Sequence, residues 1–177
     1  VRISIPGMVT QQRKDFIGIL KQLQKLDATV SKKIELELLG PFLKDEESKY
    51  REIKKLAKEL NDQGLKVITY DKPIAIKTFF KQLSEATILF GPSQVDNGTE
   101  VYGTTKETGF TSDMVKVAAP GIIPKELHIK PELETSVIRY ESLEEINTII
   151  TGLVQNKARL DNLKKHAEEN AQKFSVS

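Results

Sequence analysis

The stretch Ala86-Thr87-Ile88-Leu89-Phe90, closed by Gly91-Pro92, decides the fold of this protein. The run is almost wholly apolar, and it is bounded by glycine and proline within a length that suits a strand better than a helix. A short run of this kind is typical of a central strand in a parallel sheet, because helices cover both faces of such a sheet. The stretch therefore predicts an α/β protein.

Strand and helix patterns alternate on both sides of this central run. Further strands are predicted at 2–6, 34–39, 66–70, 121–124 and 137–140. Amphipathic helices are predicted from about 14 to 30 and at 46–61, 76–83, 104–118, 142–153 and 157–173, with Ser142 and Glu145 as a capping box. The alternation predicts a Rossmann-like, doubly wound parallel sheet with helices on both faces, and the length suits a single domain over residues 1–177.

The composition narrows the classes of function. Lys and Arg total 27 against 25 Asp and Glu, so the net charge of +2 gives no overall case for nucleic acid or an anionic membrane as a partner, and any basic site must be local. Cysteine is absent, which excludes disulfides and thiolate catalysis and favours a cytoplasmic location. No apolar run is long enough to span a bilayer. His128 and His166 have no triad partners at a suggestive spacing, so we interpret both as surface residues.

Ligands of open parallel sheets bind beyond the carboxyl ends of the strands, so the loops after strands one, three and four are the candidate binding loops. The first loop offers Gly7, which permits close backbone approach to a phosphate, and the cations Arg13 and Lys14 near a helix start. An ordinary solvated helix start is the alternative interpretation of Arg13 and Lys14. Neither a dinucleotide-binding fingerprint nor a Walker A motif is present, so nicotinamide, flavin and P-loop chemistry are unsupported.

The loop after strand four is longer and more polar than a connection needs. Gly103 lies just before a predicted helix and offers backbone N–H groups to a phosphate, with Lys106 as a nearby cation. Glu100 and Glu107 are suited to hydrogen bonds with sugar hydroxyls. The alternative is that Glu100 caps the helix and the other two charges are solvated.

The order of these motifs resembles the C-terminal half of GT-B glycosyltransferases of the retaining group called family 4. The likeness rests on Pro6-Gly7, on Arg13-Lys14-Asp15 with its helix, on the segments 36–40 and 84–93, on 100–107 and on the terminal 171–175. In that group this half binds the nucleotide-sugar donor, and an N-terminal domain binds the acceptor. The resemblance implies that the chain is a donor domain and that an acceptor domain is missing before Val1.

The resemblance also implies roles for individual residues. It implies that Gly7 is the glycine of the first loop and that Arg13 falls on the phosphate-binding lysine, while Met8 stands where the family has an arginine. It places Glu100 near the donor sugar as the catalytic carboxylate, and Tyr102, Gly103 and Thr104 at the diphosphate. Glu107 is one position out of register with the glutamate that binds ribose, and Lys106 is a local substitute for the missing cation.

The resemblance therefore implies an enzyme that transfers a sugar from a nucleotide diphosphate sugar to an acceptor hydroxyl in polysaccharide or glycoconjugate synthesis. No cofactor is implied, and the absence of an Asp-x-Asp pattern means that no metal is implied either. We expect a cytoplasmic protein whose membrane association, if any, comes through the missing domain. The alternative is a non-catalytic nucleotide-binding or regulatory module, either a degenerate transferase or a flavodoxin-like domain, favoured by Met8 and by Thr108 at the second glutamate position.

Overall fold

A computed structural model of the protein describes residues 1–94 and 109–174, apart from the side chain of Lys44. Within these residues six strands form one sheet, and every pairing between neighbours is parallel. The strands are β1 (Arg2–Pro6), β2 (Glu35–Pro41), β3 (Lys66–Tyr70), β4 (Ile88–Phe90), β5 (Gly121–Pro124) and β6 (Val137–Tyr140). Their order across the sheet is β3-β2-β1-β4-β5-β6, which confirms the predicted Rossmann-like fold.

Helices follow β1 to β4 and β6 and cover both faces of the sheet, while a 3₁₀ turn at Pro131–Ser136 leads from β5 into β6. They are α1 (Phe16–Leu23), α2 (Ala28–Ser31), α3 (Glu47–Asp62), α4 (Ile76–Ser84), α5 (Gly109–Val117), α6 (Glu145–Gln155) and α7 (Lys157–Lys173). One apolar core joins the sheet to α1, α3, α6 and α7, and a second core joins it to α4 and α5. The central strand is covered on both faces, as its apolar composition predicts. Ile88 and Phe90 belong to the first core and Leu89 to the second.

The strand order locates the crevice of the sheet. The chain winds outward from β1 through β2 to β3, and it then returns to β4 on the other side of β1. The order reverses between β1 and β4, and open parallel sheets have their binding crevice at the carboxyl edge beside such a reversal. The loop after β3 follows an edge strand and lies two strands away from β1.

A buried carboxylate lies on the face of the sheet that α4 covers. The Glu37 side chain is fully buried, and it accepts hydrogen bonds from Ser4 Oγ at 2.8 Å, from Arg2 at 3.0 Å and from Tyr70 Oη at 2.5 Å. Burial and the neighbouring carboxylate raise the pKa of Tyr70 to about 12. This cluster, which we call the Glu37 network, ties together β1, β2 and β3.

Some local predictions were wrong in detail. The capping box does not form, because the carboxylate of Glu145 accepts from the backbone N–H of Glu141, and α6 begins without a side-chain cap. The apolar stripe of α4 is only partly buried: Leu83 is fully buried, whereas 71% of Ile76 is exposed because α4 begins at that residue. The polar residue Asn170 completes the buried stripe of α7, which periodicity does not predict.

Candidate functional site

The loops after β1 and β4 are joined by backbone contacts. Lys14 and Ser93 form an isolated antiparallel bridge, and the N–H of Gln94 donates to the carbonyl of Arg13 at 2.9 Å. The predicted phosphate loop and the chain that leaves the central strand therefore form one wall of the crevice.

Two glycines let the ends of β1 and β2 approach closely. Gly7 has a φ of +94°, a conformation that favours glycine, and its N–H donates to the carbonyl of Leu39 at 3.1 Å. A Cβ on Gly40 would lie 2.2 Å from the carbonyl oxygen of Gly7, so a side chain at that position would collide with the loop. The backbone around Gly7 is thereby fixed at the mouth of the crevice.

Glu46 holds the rest of the β1–α1 loop in place. Its carboxylate accepts hydrogen bonds from Thr10 Oγ1 at 3.1 Å and from the backbone N–H groups of Gln11 and Gln12 at 2.6 and 3.1 Å. No sequence pattern indicates this role, because Glu46 follows β2 and reaches the loop only through the fold. The loop is thus ordered by a carboxylate from another element.

The start of α1 is not an open anion site. The side chain of Asp15 caps the helix by accepting from the N–H of Gly18 at 2.9 Å, and Gln11 Oε1 accepts from the N–H of Ile17 at 3.1 Å. The expectation that this helix end would favour an anion beside Arg13 and Lys14 was wrong, because a carboxylate and an amide already occupy its N–H groups.

Lys14 is the cation that lies inside the crevice. Its ammonium group donates to the carbonyl of Pro6 at 2.6 Å, and it lies 3.4 Å from the position that a Cβ on Gly7 would take. No second acceptor reaches this amine within residues 1–94 and 109–174. Since burial disfavours the charged form, the pKa of Lys14 is lowered to about 8. The side chain of Arg13, by contrast, is exposed at the rim.

Asp113 on α5 faces the same space. Burial raises the pKa of the Asp113 carboxyl group, and the neighbouring charges of Lys116 and Lys14 oppose that shift. Phe110 of the same helix closes the floor, because its ring lies 2.9 Å from the position of a Cβ on Gly91. Neither residue was singled out from the sequence, since both belong to a helix pattern with no motif.

Together these residues enclose a cleft of about 210 Å³. Its lining consists of Pro6, Gly7, Met8, Thr10, Arg13, Lys14, Gly91, Ser93, Gly109, Phe110 and Asp113. The three predicted binding residues of the first loop therefore lie in one place, and Met8, which is 45% exposed, lines the cleft beside them. The cleft combines a desolvated amine, a glycine with positive φ and an apolar floor.

The other predicted site residues lie outside the described part of the chain. These are Glu100, Tyr102, Gly103, Thr104, Lys106 and Glu107. Their assignment stays a prediction from the sequence. It concerns the chain between Ser93 and Gly109, two residues that line the cleft.

The two histidines lie at the protein surface. His128 is exposed, and the Nδ1 atom of His166 lies 3.5 Å from Glu169 on the surface of α7.

In the described part of the chain, no three His, Cys, Asp or Glu side chains are grouped closely enough to hold a metal ion. None of the described helices is long and apolar enough to cross a membrane.

Similarity to solved structures shows the fold. No family model and no curated protein sequence matches the chain. Among solved structures, the chain superposes on the C-terminal domain of LpcC, a group 1 glycosyltransferase family protein of Francisella tularensis, with a TM-score of 0.69 and 10% identity over 98% of this chain and 85% of that one. It superposes on WaaG, a glycosyltransferase involved in lipopolysaccharide biosynthesis, with a TM-score of 0.70 and 14% identity over 97% of this chain.

A third similar structure contains a nucleotide. Anabaena HepE in complex with UDP superposes with a TM-score of 0.64 and 12% identity over 97% of this chain. The chain spans 42% of the length of WaaG and 44% of that of HepE. Its fold is therefore that of the C-terminal half of GT-B glycosyltransferases, a Rossmann-like domain, as the sequence motifs predicted.

Proposed function

We propose that this chain is the donor-binding half of a family-4-like GT-B glycosyltransferase and that its cleft holds the diphosphate of a nucleotide sugar. The sugar would pass to an acceptor hydroxyl held by a second, N-terminal domain. The likeness to HepE, which was solved with UDP, supports the choice of a uridine nucleotide as the first ligand to test.

The observation that carries this proposal is the position of Lys14. Its ammonium group lies at the switch point of the sheet, beside Gly7, in the space where parallel sheets bind their ligands. A departing diphosphate needs preorganised positive charge, and an amine that is already desolvated and held by Pro6 provides it without reorganisation. Arg13 at the rim adds a second cation.

Further parts of the proposal rest on the family resemblance rather than on the described residues. Glu100 would act on the donor sugar, Glu107 would bind ribose, and Tyr102, Gly103, Thr104 and Lys106 would complete the diphosphate site. We place the enzyme in the cytoplasm and its product in polysaccharide or glycoconjugate synthesis, with no metal ion. By itself the chain would bind nucleotide weakly and turn over little, since the acceptor side belongs to the other domain.

Calorimetric titration with UDP, GDP and uridine tests the proposal. We expect one diphosphate to bind, uridine to bind far more weakly, and Lys14→Met and Arg13→Met each to reduce diphosphate affinity by about tenfold. Lys49→Met is a matched control, because Lys49 is an exposed lysine on α3. Equal binding by Lys14→Met and the control, or no binding of either diphosphate, would overturn the proposed site.

A second candidate function is nucleotide binding without catalysis. The exposed thioether of Met8 lines the cleft where the family resemblance places an arginine, so one diphosphate cation is absent at that position. If the parent protein binds UDP but releases no sugar from any nucleotide sugar, this second function replaces the first. Met8→Arg is the informative variant, because it should tighten diphosphate binding in either case.

A further inference from the structure

The surface of α4 presents an apolar side chain to solvent. Ile76 is 71% exposed, the largest exposure of any large apolar side chain in the described part of the chain. Phe80 lies one helical turn further on and is only half-buried, so the two side chains share one flank of the helix. Leu83, three residues beyond Phe80 on the same face, is fully buried in the core, so this face is covered at the end of α4 and open at its first turn.

Lysines surround this apolar flank. Lys77 and Lys81 follow Ile76 and Phe80 by one position each, and Nζ of Lys116 on α5 lies 5.2 Å from the centroid of the Phe80 ring. We define the α4 patch as Ile76, Lys77, Phe80, Lys81 and Lys116. The three lysines are exposed, and within residues 1–94 and 109–174 none of them forms an ion pair.

Two described carboxylates near the α4 patch are engaged elsewhere, whereas the exposed Glu168 of α7 lines the same surface depression as Lys116. Glu85 at the end of α4 pairs with Arg2 at 2.7 Å, and Asp71 before the helix pairs with Lys54 at 2.6 Å. Asp113 is half-buried and lines the cleft. The patch therefore concentrates positive charge on a chain whose net charge is only +2.

We propose that the α4 patch docks the protein on an anionic lipid bilayer. Ile76 would enter the interfacial region while the lysines bind the lipid phosphates and the half-buried Phe80 supports the contact. This pairing of apolar projection with a ring of basic groups is what a surface-bound, non-spanning membrane contact requires. A purely acidic macromolecule would use the lysines alone and would gain nothing from Ile76. The inference stands apart from the proposed donor site.

Co-sedimentation with vesicles tests the inference. The protein should bind vesicles that contain phosphatidylglycerol, should not bind phosphatidylcholine vesicles, and should dissociate at high salt. Each lysine near an anionic surface contributes about fivefold to partition, so Lys77→Ala/Lys81→Ala should weaken binding about 25-fold. Ile76→Ser should weaken it about tenfold. The matched control is Lys49→Ala/Lys157→Ala, which removes the same charge from exposed lysines of α3 and α7.

The absence of tryptophan allows a second measurement. Fluorescence of Ile76→Trp should shift to the blue on adding phosphatidylglycerol vesicles and should be quenched by brominated lipid, whereas Lys157→Trp should show neither effect. Equal binding by both double-lysine variants would overturn the proposal. Vesicle binding that is insensitive to Ile76→Ser, together with equal binding to polyglutamate, would instead identify a site for acidic proteins and would also overturn it.

Discussion

Lys14 makes the cleft sensitive to pH. Burial lowers its pKa to about 8, so the amine is charged below that pH and becomes neutral as the pH rises through it. We therefore expect the affinity for UDP, measured by calorimetry, to fall as the pH rises from about 7 to about 9. A bound diphosphate favours the ammonium form, so binding should also take up protons in that interval.

The variant Lys14→Met should remove this pH dependence, whereas Arg13→Met should weaken binding and keep it. A wild-type affinity that does not change across pH 8 would mean that the Lys14 amine does not face the bound anion.

Gly40 tests the close approach of β1 and β2. In Gly40→Ala the new Cβ would lie 2.2 Å from the Gly7 carbonyl oxygen, and backbone cannot move aside as a flexible side chain can. We expect the free energy of unfolding, measured with urea, to fall by about 1–3 kcal/mol. Gly109→Ala is the control, since among the described residues nothing beyond its chain neighbours and its own helix backbone lies within 4 Å of the position that its Cβ would take, and alanine favours a helix. Similar stability of the two variants would contradict the tight packing of the loop.

At the scale of single residues, the sequence located part of the cleft. Gly7, Arg13 and Lys14 could be found because glycine and cations after a strand have a recognisable physical use. Glu46 and Asp113 could not, because their importance depends on which distant elements the fold brings beside them. The capping of α1 by Asp15 and Gln11 likewise depends on the path of the loop, which no local pattern encodes.

Among the elements, the three strands joined by the Glu37 network depend on one buried carboxylate. Removal of that carboxylate in Glu37→Ala leaves Arg2, Ser4 and Tyr70 without their shared partner. We expect a loss of about 3 kcal/mol in the free energy of unfolding. The same variant should bring the pKa of Tyr70 down from about 12, since burial and the carboxylate both raise it there.

A matched control is Asp62→Ala, which breaks the exposed pair with Lys58 on α3 and should change stability little. Ultraviolet titration of the tyrosines and urea denaturation measure the two effects. If Glu37→Ala is as stable as Asp62→Ala, the network does not hold the strands together.

The strands were predictable because short apolar or alternating runs that end at glycine, proline or a charged residue suit a strand better than a helix. Helix boundaries and helix burial were harder to predict. The apolar stripe of α4 runs from Ile76 to Leu83, but the helix begins at Ile76, and its first turn receives less cover than its sequence pattern suggests. Asn170 is buried on α7 because its amide donates to Thr135 and Ser136 in the turn before β6, a partner set that periodicity cannot reveal.

For the whole molecule, UDP binding should raise the free energy of unfolding through contacts at the carboxyl edge of the sheet. At a UDP concentration about 100 times Kd, the gain in unfolding free energy is about 2.7 kcal/mol. Hydrogen exchange should slow most at residues 7–14 and at 109–113, which line the cleft, and change little in α6 and α7. Protection concentrated on α6 and α7 would place the nucleotide somewhere other than the switch point.

The strand order also has a consequence for synthesis on the ribosome. β1 is the earliest of the six strands to emerge, yet its position between β2 and β4 makes it the middle of the finished sheet. One hydrogen-bonding edge of β1 has no native partner until Ile88–Phe90 has been translated, which is about half of the 177 residues. A nascent chain of intermediate length thus displays an open strand edge that can pair with other chains. Until β4 has been made, binding of a chaperone to this edge would prevent aggregation.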